Sequence, residues 1–197
     1  RESRLVVLNK ADLADEAVNL AWIACFQSQG KVAIATNCKT GRSSSLTKQL
    51  VSAMEQVLAD KLAAWREKGM TGRPMRAMVV GIPNVGKSSF INCLAAGSKA
   101  KVEDRPGVTR SNQWFVIASG TAHLLDTPGV LWPKFEDQTV ARHLAYTGAI
   151  RDEILDTEEL AAGLLSLLYT MYSPLLAARY KLTQPELEQT NGDGFAL

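Results

Sequence analysis

Leu5, Val6, Val7 and Leu8 form an unbroken apolar run that ends in the polar turn Asn9-Lys10-Ala11-Asp12, the pattern of a strand covered on both faces and running into a loop. Residues 15–28 then follow a helical spacing through Val18, Trp22 and Phe26 and stop at Gly30, and residues 32–36 predict a second buried strand. The result is a strand, helix, strand unit. After a loop at 37–45, Leu46, Leu50, Met54, Val57, Leu58, Leu62 and Trp65 recur at helical intervals, which predicts one long amphipathic helix to about residue 68. Residues 69–74, with Gly69, Gly72 and Pro74, end it.

Residues 75–80 are a third buried strand, and a glycine-bearing loop from Gly81 leads into a helix over about 87–96. Residues 97–112 have almost no apolar periodicity and contain Asp104, Arg105, Pro106 and Gly107, so a loop is expected. Residues 113–118 and 121–125 flank Ser119-Gly120, which predicts a tight antiparallel hairpin. A loop from 127 to about 137 precedes helical segments near 138–150 and 158–172, and Ser173-Pro174 opens a further short helix. The end, Asn191-Gly192-Asp193-Gly194, reads as frayed. The elements predict an α/β fold with a mostly parallel sheet, one antiparallel edge hairpin and C-terminal helices.

Composition adds bounds. The 197 residues are 46% hydrophobic and 21% charged, enough for one sizeable core with an appendage. With 22 basic and 20 acidic side chains the net charge of +2 is too mild to indicate a polyanion partner. Cys25, Cys38 and Cys93 are too scattered for a disulfide framework or a paired-cysteine zinc site, so free buried thiols in a reducing compartment are expected. The longest apolar stretch, 160–172, is interrupted by Gly163, Ser166 and Thr170 and falls short of the roughly 20 residues of a bilayer span, so none is expected. The first four residues hold neither an initiator methionine nor a signal-peptide core, and the chain is expected to begin within a longer protein.

Three short stretches carry chemistry. Gly81-Ile82-Pro83-Asn84-Val85-Gly86-Lys87-Ser88 fits G-x-x-x-x-G-K-[ST] between a predicted strand and helix, the setting a phosphate loop needs. Glycine lets the backbone N–H groups of Val85, Gly86, Lys87, Ser88 and Ser89 close on phosphate oxygens, and the helix dipole favours the same charge. Lys87 would reach the β and γ phosphates, and the Ser88 hydroxyl would ligate Mg²⁺. Asp126-Thr127-Pro128-Gly129 follows the hairpin strand, where Asp126 can approach that metal through water and the Gly129 amide can donate to the γ phosphate. Thr109 lies between the two motifs and offers a second metal-bound hydroxyl.

Asn9-Lys10-Ala11-Asp12 addresses the base. The Asp12 carboxylate can accept both N1–H and the N2 amine of guanine, a donor pair adenine lacks. Asn9 can bond N7 and tie loops together, while the Lys10 stem lies over the ring. Thr36 and Asn37, ending the second strand, are placed for backbone donation to the guanine carbonyl.

The base motif precedes the phosphate loop, the reverse of the usual order, and the chain resembles circularly permuted GTPases with a three-layer αβα phosphate-loop fold. Residues 81–89 (GIPNVGKSS), 105–110 (RPGVTR), 126–137 (DTPGVLWPKFED) and Thr147-Gly148-Ala149-Ile150 together resemble the ribosome biogenesis GTPase A family. The resemblance implies a cytoplasmic, monomeric GTPase that binds GTP and GDP with Mg²⁺, hydrolyses GTP at a low intrinsic rate, and is stimulated by a late precursor of the large ribosomal subunit and its rRNA. It implies Lys87 and Ser88 on phosphate and Mg²⁺, Thr109 as switch threonine, Asp126 and Gly129 at the second switch, and Asn9 and Asp12 on guanine. Asn84 matches an asparagine that helps hold K⁺ beside the phosphates in related enzymes. The implied organisation is a permuted GTPase domain over 1–155, with a guanine-binding half 1–68, a linker 69–76 and a phosphate-binding half 77–155. Residues 156–197 would be a helical extension starting a C-terminal domain.

Val130 stands where a Ras-like enzyme has the glutamine that orients water, and valine cannot orient water. The resembled family looks instead to a histidine in an N-terminal segment; His123 and His143 do not match it, and Gln138 is a weak substitute. In a permuted GTPase sheet, the strand beside the phosphate-loop strand comes just before Leu5, so five strands would leave a central gap and a preceding segment is expected. Lys61, Arg66, Lys68, Arg73 and Arg76, interleaved with Trp65, are candidates for rRNA contact or a solvated face. The alternatives to a GTP hydrolase are a GTP-gated binding module without turnover and, less favoured because Asn9 and Asp12 would be idle, an ATPase or nucleotide kinase.

Overall fold

A computed structural model of the chain describes residues 3–39, 44–95, 112–130, 136–150 and 156–197. They form two compact units, Arg1–Leu131 and Trp132–Leu197.

The first unit contains β1 (Leu5–Leu8), α1 (Glu16–Ser28), β2 (Val32–Ala35), α2 (Ser44–Val57), α3 (Ala59–Glu67), β3 (Met75–Val79), α4 (Lys87–Leu94), β4 (Gln113–Ile117) and β5 (Ala122–Asp126). β1 and β2 are parallel, with Leu5 opposite Val32 and Leu8 opposite Ala35. β3 runs parallel to β5, placing Val79 opposite Asp126, and β4 runs antiparallel to β5, placing Gln113 opposite that same Asp126. The hairpin turn at Ala118, Ser119 and Gly120 is left-handed throughout, with φ of 48°, 53° and 93°, the twist that closely joined antiparallel strands need.

The five strands fall into two sheets, β1-β2 and β3-β5-β4. Among the described residues β1 and β3 each keep one edge without a strand partner. Both strands line a cavity of about 750 Å³ whose walls include Leu50, Met54 and Phe90. Leu50, Met54, Ile91, Phe115, Ile117 and Leu124 form one core between α2, α4 and the strands, and at roughly 1.5–3 kcal/mol per fully buried side chain this core holds the unit together.

Three local expectations need correction. The helix expected from 46 to 68 is two helices, because Leu58 leaves helical geometry at φ −100°, ψ 9° between α2 and α3. α1 forms behind its Asp15 cap, whose carboxylate accepts the Ala17 N–H at 2.7 Å, but Val18 and Trp22 are exposed. Its half-buried positions are Asn19, Ile23 and Phe26. The cysteines are free, yet Cys25 is exposed rather than buried. Cys38 lies against buried Cys93, and burial, reinforced by that neighbour, pushes its thiol up to about 12.

The second unit holds α5 (Gln138–Tyr146), α6 (Thr157–Tyr180) and α7 (Gln184–Gln189). Asp137 caps α5 by accepting from Thr139 N–H at 2.7 Å and Val140 N–H at 3.3 Å, which holds its carboxyl below the usual range. Asp156 caps α6 in the same way. α6 is broken by a kink at Tyr172, where the helix expected over 158–172 ends and the further helix opened by Ser173-Pro174 begins, the missing N–H and ring of Pro174 disfavouring a straight helix. At 24 residues, α6 is long and apolar enough to cross a membrane by length and composition, so the expectation of no such stretch does not hold on those criteria alone. The end of the chain is not frayed. α7 begins with a capping box between Thr183 and Glu186, Leu187 is buried, and the Gly194 N–H donates to Ser166 Oγ at 2.9 Å.

Candidate nucleotide site

β3 ends at Val79 and α4 begins at Lys87, so residues 80–86 must reverse the chain in one tight loop. Asn84 and Gly86 supply the left-handed conformations, φ 51° and 91°. The Lys87 side chain is nearly buried and its ammonium donates to Gly81 O at 3.1 Å and Ile82 O at 2.9 Å. Loss of water pulls its pKa down, opposed by the charge of Asp126. A poorly hydrated cation held on two carbonyls at the loop is well placed to exchange them for phosphate oxygens.

Asp126 ends β5 and is 2% exposed. Its Oδ2 accepts from Ser88 Oγ at 2.8 Å, while Oδ1 is buried and has no hydrogen-bond partner among the described residues. An orphaned carboxylate oxygen beside a hydroxyl is the donor set a hard divalent cation takes. Ser88 and Asp126 therefore fit Mg²⁺. Next to them the Thr127 hydroxyl donates to Val79 O at 2.7 Å and fastens the start of the loop to β3. The loop then crosses the phosphate loop so closely that a Cβ on Gly129 would lie 2.7 Å from the Pro83 backbone and 3.0 Å from Lys87 Nζ. Val130 follows, 76% exposed, with its N–H 3.4 Å from Gly81 O.

Asn9 links the other end. Its Nδ2 donates to Val85 O at 2.8 Å and lies 3.4 Å from Gly86 O, while its Oδ1 accepts from Thr36 Oγ1 at 2.9 Å. One side-chain amide thus joins the turn after β1, the end of β2 and the phosphate loop. Lys10 is left-handed, φ 55°, and Asp12 sits in the short turn that follows. That turn is held by Ala11 N–H on Thr36 O at 3.0 Å and by Asn19 Nδ2 on Ala11 O at 2.9 Å. The Thr36 N–H donates to Leu8 O at 2.8 Å, so Thr36 is not the backbone donor to a base that its position predicts; its hydroxyl orients Asn9 instead. Asn37 is exposed beyond it, its Oδ1 accepting from the Lys39 N–H at 3.0 Å.

Gly86 is the tightest point of this join. A Cβ there would run into the Asn9 amide in a backbone region that side chains rarely adopt. Gly86→Ala is expected to destabilise the first unit by roughly 1–3 kcal/mol and to weaken nucleotide binding through the displaced Asn9; urea unfolding and a nucleotide titration measure the two effects.

Thr109 lies outside the described residues. Ser89 is in the first turn of α4. His123 is half-buried on β5, whereas His143, on α5, has its ring centroid 6.2 Å from that of Tyr146. Gln138 is the first residue of α5. Of the basic residues after α2, the Arg73 guanidinium lies 4.7 Å over the Trp65 ring and that of Arg76 lies 5.7 Å over Trp114. Thr127 lies inside the Asp126–Gly129 stretch at a position to which no role was assigned, and Lys39 follows Asn37 in the loop after β2. The ion pair between Lys39 and Asp12 joins residues from two different loops.

Because Asn9 fastens a polar turn on one sheet to the glycine loop on the other, the two halves form a single framework, and that organisation is of the GTPase class. A family model described as 50S ribosome-binding GTPase matches residues 76–172. Ribosome biogenesis GTPase A of Bacillus cereus is 45% identical over 181 residues, 92% of this chain and 60% of that protein. The protein of the same name from Priestia megaterium is 46% identical over 182 residues, 92% of this chain and 62% of its own. The chain belongs to the ribosome biogenesis GTPase A family and spans about 60% of the length of these relatives. A solved structure of GNP-bound YlqF from T. maritima covers 98% of this chain and 78% of that one, with a TM-score of 0.53 and 23% identity, and agrees in fold.

Proposed function

We propose that the chain is the nucleotide-binding part of a Mg²⁺-dependent GTP hydrolase that serves assembly of the large ribosomal subunit in the cytoplasm, working as a monomer. The observation that supports this reading is the Asn9 amide on Val85 O and Thr36 Oγ1, which ties the turn that carries Asp12 to the loop that carries Lys87.

In this reading Lys87 leaves the Gly81 and Ile82 carbonyls for the β and γ phosphates, and the backbone N–H groups of Val85, Gly86, Ser88 and Ser89 surround them. Asp12 accepts the N1 and N2 protons of guanine, Lys10 covers the ring, and the Asn37 N–H serves the guanine carbonyl. Ser88 and Asp126 hold Mg²⁺, with Thr109 as a further ligand. Bound there, Mg²⁺ offsets charge on the phosphate oxygens. The Gly129 N–H faces the γ phosphate, and Asn84 contributes to a K⁺ site. Positioning of the attacking water falls to a group outside this loop, since Val130 is apolar and exposed; turnover is accordingly slow until a large-subunit particle and its rRNA supply the missing alignment. That same residue favours a second reading, a GTP-gated binding module that does not turn over by itself.

Calorimetric titration of GTP and ATP, with and without Mg²⁺ and K⁺, tests the binding part. GTP preference with Mg²⁺ dependence is expected, and equal affinity for ATP would overturn it. Single-turnover hydrolysis by the whole protein, with and without large-subunit particles, separates the two readings: stimulation supports the hydrolase, and persistent GTP with no product supports the binding module.

A further inference from the structure

Cys38 and Cys93 take no part in the nucleotide chemistry above, yet they bridge two of its elements. Cys93 sits in the last turn of α4, on the side that also buries Phe90, Ile91 and Leu94, and is 4% exposed. Cys38 follows Asn37 in the loop after β2, is half-buried, and packs on the core cluster that contains Cys93. The two thiols hydrogen-bond to each other, and Thr36 shares the contact. Neither is in a disulfide. Thiols in hydrogen-bond contact reach bonding distance by side-chain rotation, without a rearrangement of the backbone.

We propose that Cys38 and Cys93 are an oxidisable pair whose disulfide ties the loop after β2 to the helix of the phosphate loop and slows nucleotide exchange. The oxidant is a low-molecular-weight disulfide, RSSR. Cys38 is the more exposed of the two and reacts first: once deprotonated, its sulfur attacks RSSR, the S–S bond breaks, and the departing thiolate takes up the proton. Cys93, deprotonated in turn, attacks the Cys38 sulfur of the mixed disulfide and expels the second RSH. Two electrons pass from the pair to RSSR, and two RSH are produced for each new disulfide. Burial, reinforced by Cys93 and opposed by Thr36, pushes the Cys38 thiol up to about 12. Thiolate is therefore scarce while the loop is closed, and the pair resists oxidation until the loop opens. The effect on exchange rests on the base-site reading given above, in which Asn37, next to Cys38, serves the guanine carbonyl. α4 is anchored in the core, so tying residue 38 to it restrains that neighbour.

The test uses the whole chain carrying C25S, which removes the exposed third thiol, treated with oxidised glutathione with and without GDP. Intact mass and peptide mapping are expected to show loss of two hydrogens and a peptide linking Cys38 to Cys93, formed more slowly with GDP bound and reversed by dithiothreitol. The oxidised protein also unfolds at a higher temperature. It releases a fluorescent GDP about fivefold more slowly, or slower still, whereas C38S and C93S in the same background show no change on treatment. A glutathione adduct on Cys38 with no linked peptide would overturn the proposal. So would release within about twofold of the reduced protein, or equal slowing in C38S. C93A replaces C93S should the buried hydroxyl prevent folding. The base-site reading fails on a different result, reduced protein that holds GDP no better than ADP, and the mass and melting measurements then decide the disulfide without nucleotide.

Discussion

Lys87→Ala is expected to reduce GTP affinity by about 100-fold or more while leaving the unfolding midpoint of the empty protein unchanged or slightly raised. Hydrogen bonds from an ammonium to phosphate contribute roughly 1.5–3 kcal/mol each, and two of them correspond to at least about 3 kcal/mol, or some 150-fold in affinity. Stability behaves differently because of where the lysine sits without ligand. Its ammonium is nearly buried on Gly81 O and Ile82 O, and loss of water already depresses its pKa. A lysine whose pKa is lower folded than unfolded opposes folding at neutral pH, where both states would otherwise carry the charge. Truncation removes that opposition together with two hydrogen bonds. Titration calorimetry and thermal melts of the same samples decide the matter: affinity within threefold of wild type would sever Lys87 from the phosphates.

Asp12→Asn is expected to turn a guanine-preferring site into a xanthine-preferring one. A carboxylate accepts twice, matching the N1–H and N2 amine of guanine; an amide accepts once and donates once, matching the N1–H and O2 of xanthine. Sites built to pair with specific polar groups reject the mismatched ligand strongly, and for a solvent-facing pair a reversal on the order of 100-fold between GDP and XDP is expected. The substitution leaves the local backbone in place, since the turn hangs on Ala11 N–H to Thr36 O and Asn19 Nδ2 to Ala11 O, neither of which uses the Asp12 side chain. Competition between GDP and XDP measures the change, and retained preference for GDP would remove Asp12 from base recognition.

How far the sequence was legible depended on the range of the interaction. The strands were visible because short apolar runs between turn residues have few other uses, and the phosphate loop because its glycines and lysine are adjacent. The break at Leu58 was hidden, as the apolar spacing carries on through it from Val57 to Leu62. The inward face of α1 was misplaced because Val18 and Trp22 share the helical period with Ile23 and Phe26, and periodicity alone does not say which phase meets the sheet. The capping box at Thr183 and Glu186 was present in the sequence as T-Q-P-E and could have identified α7. Nothing local marks Thr127 on Val79 O, Thr36 N–H on Leu8 O or Lys39 on Asp12. These contacts arise only when distant loops converge, and they correct or refine the site more than any single motif does.

The Asn9 amide makes one side chain answer to three stretches of polypeptide: its own turn after β1, Thr36 Oγ1 at the end of β2 and Val85 O in the glycine loop. A disturbance at any one of the three, by substitution or by a ligand, is thereby transmitted to the other two, as a tug on one cord of a knot is felt along the rest.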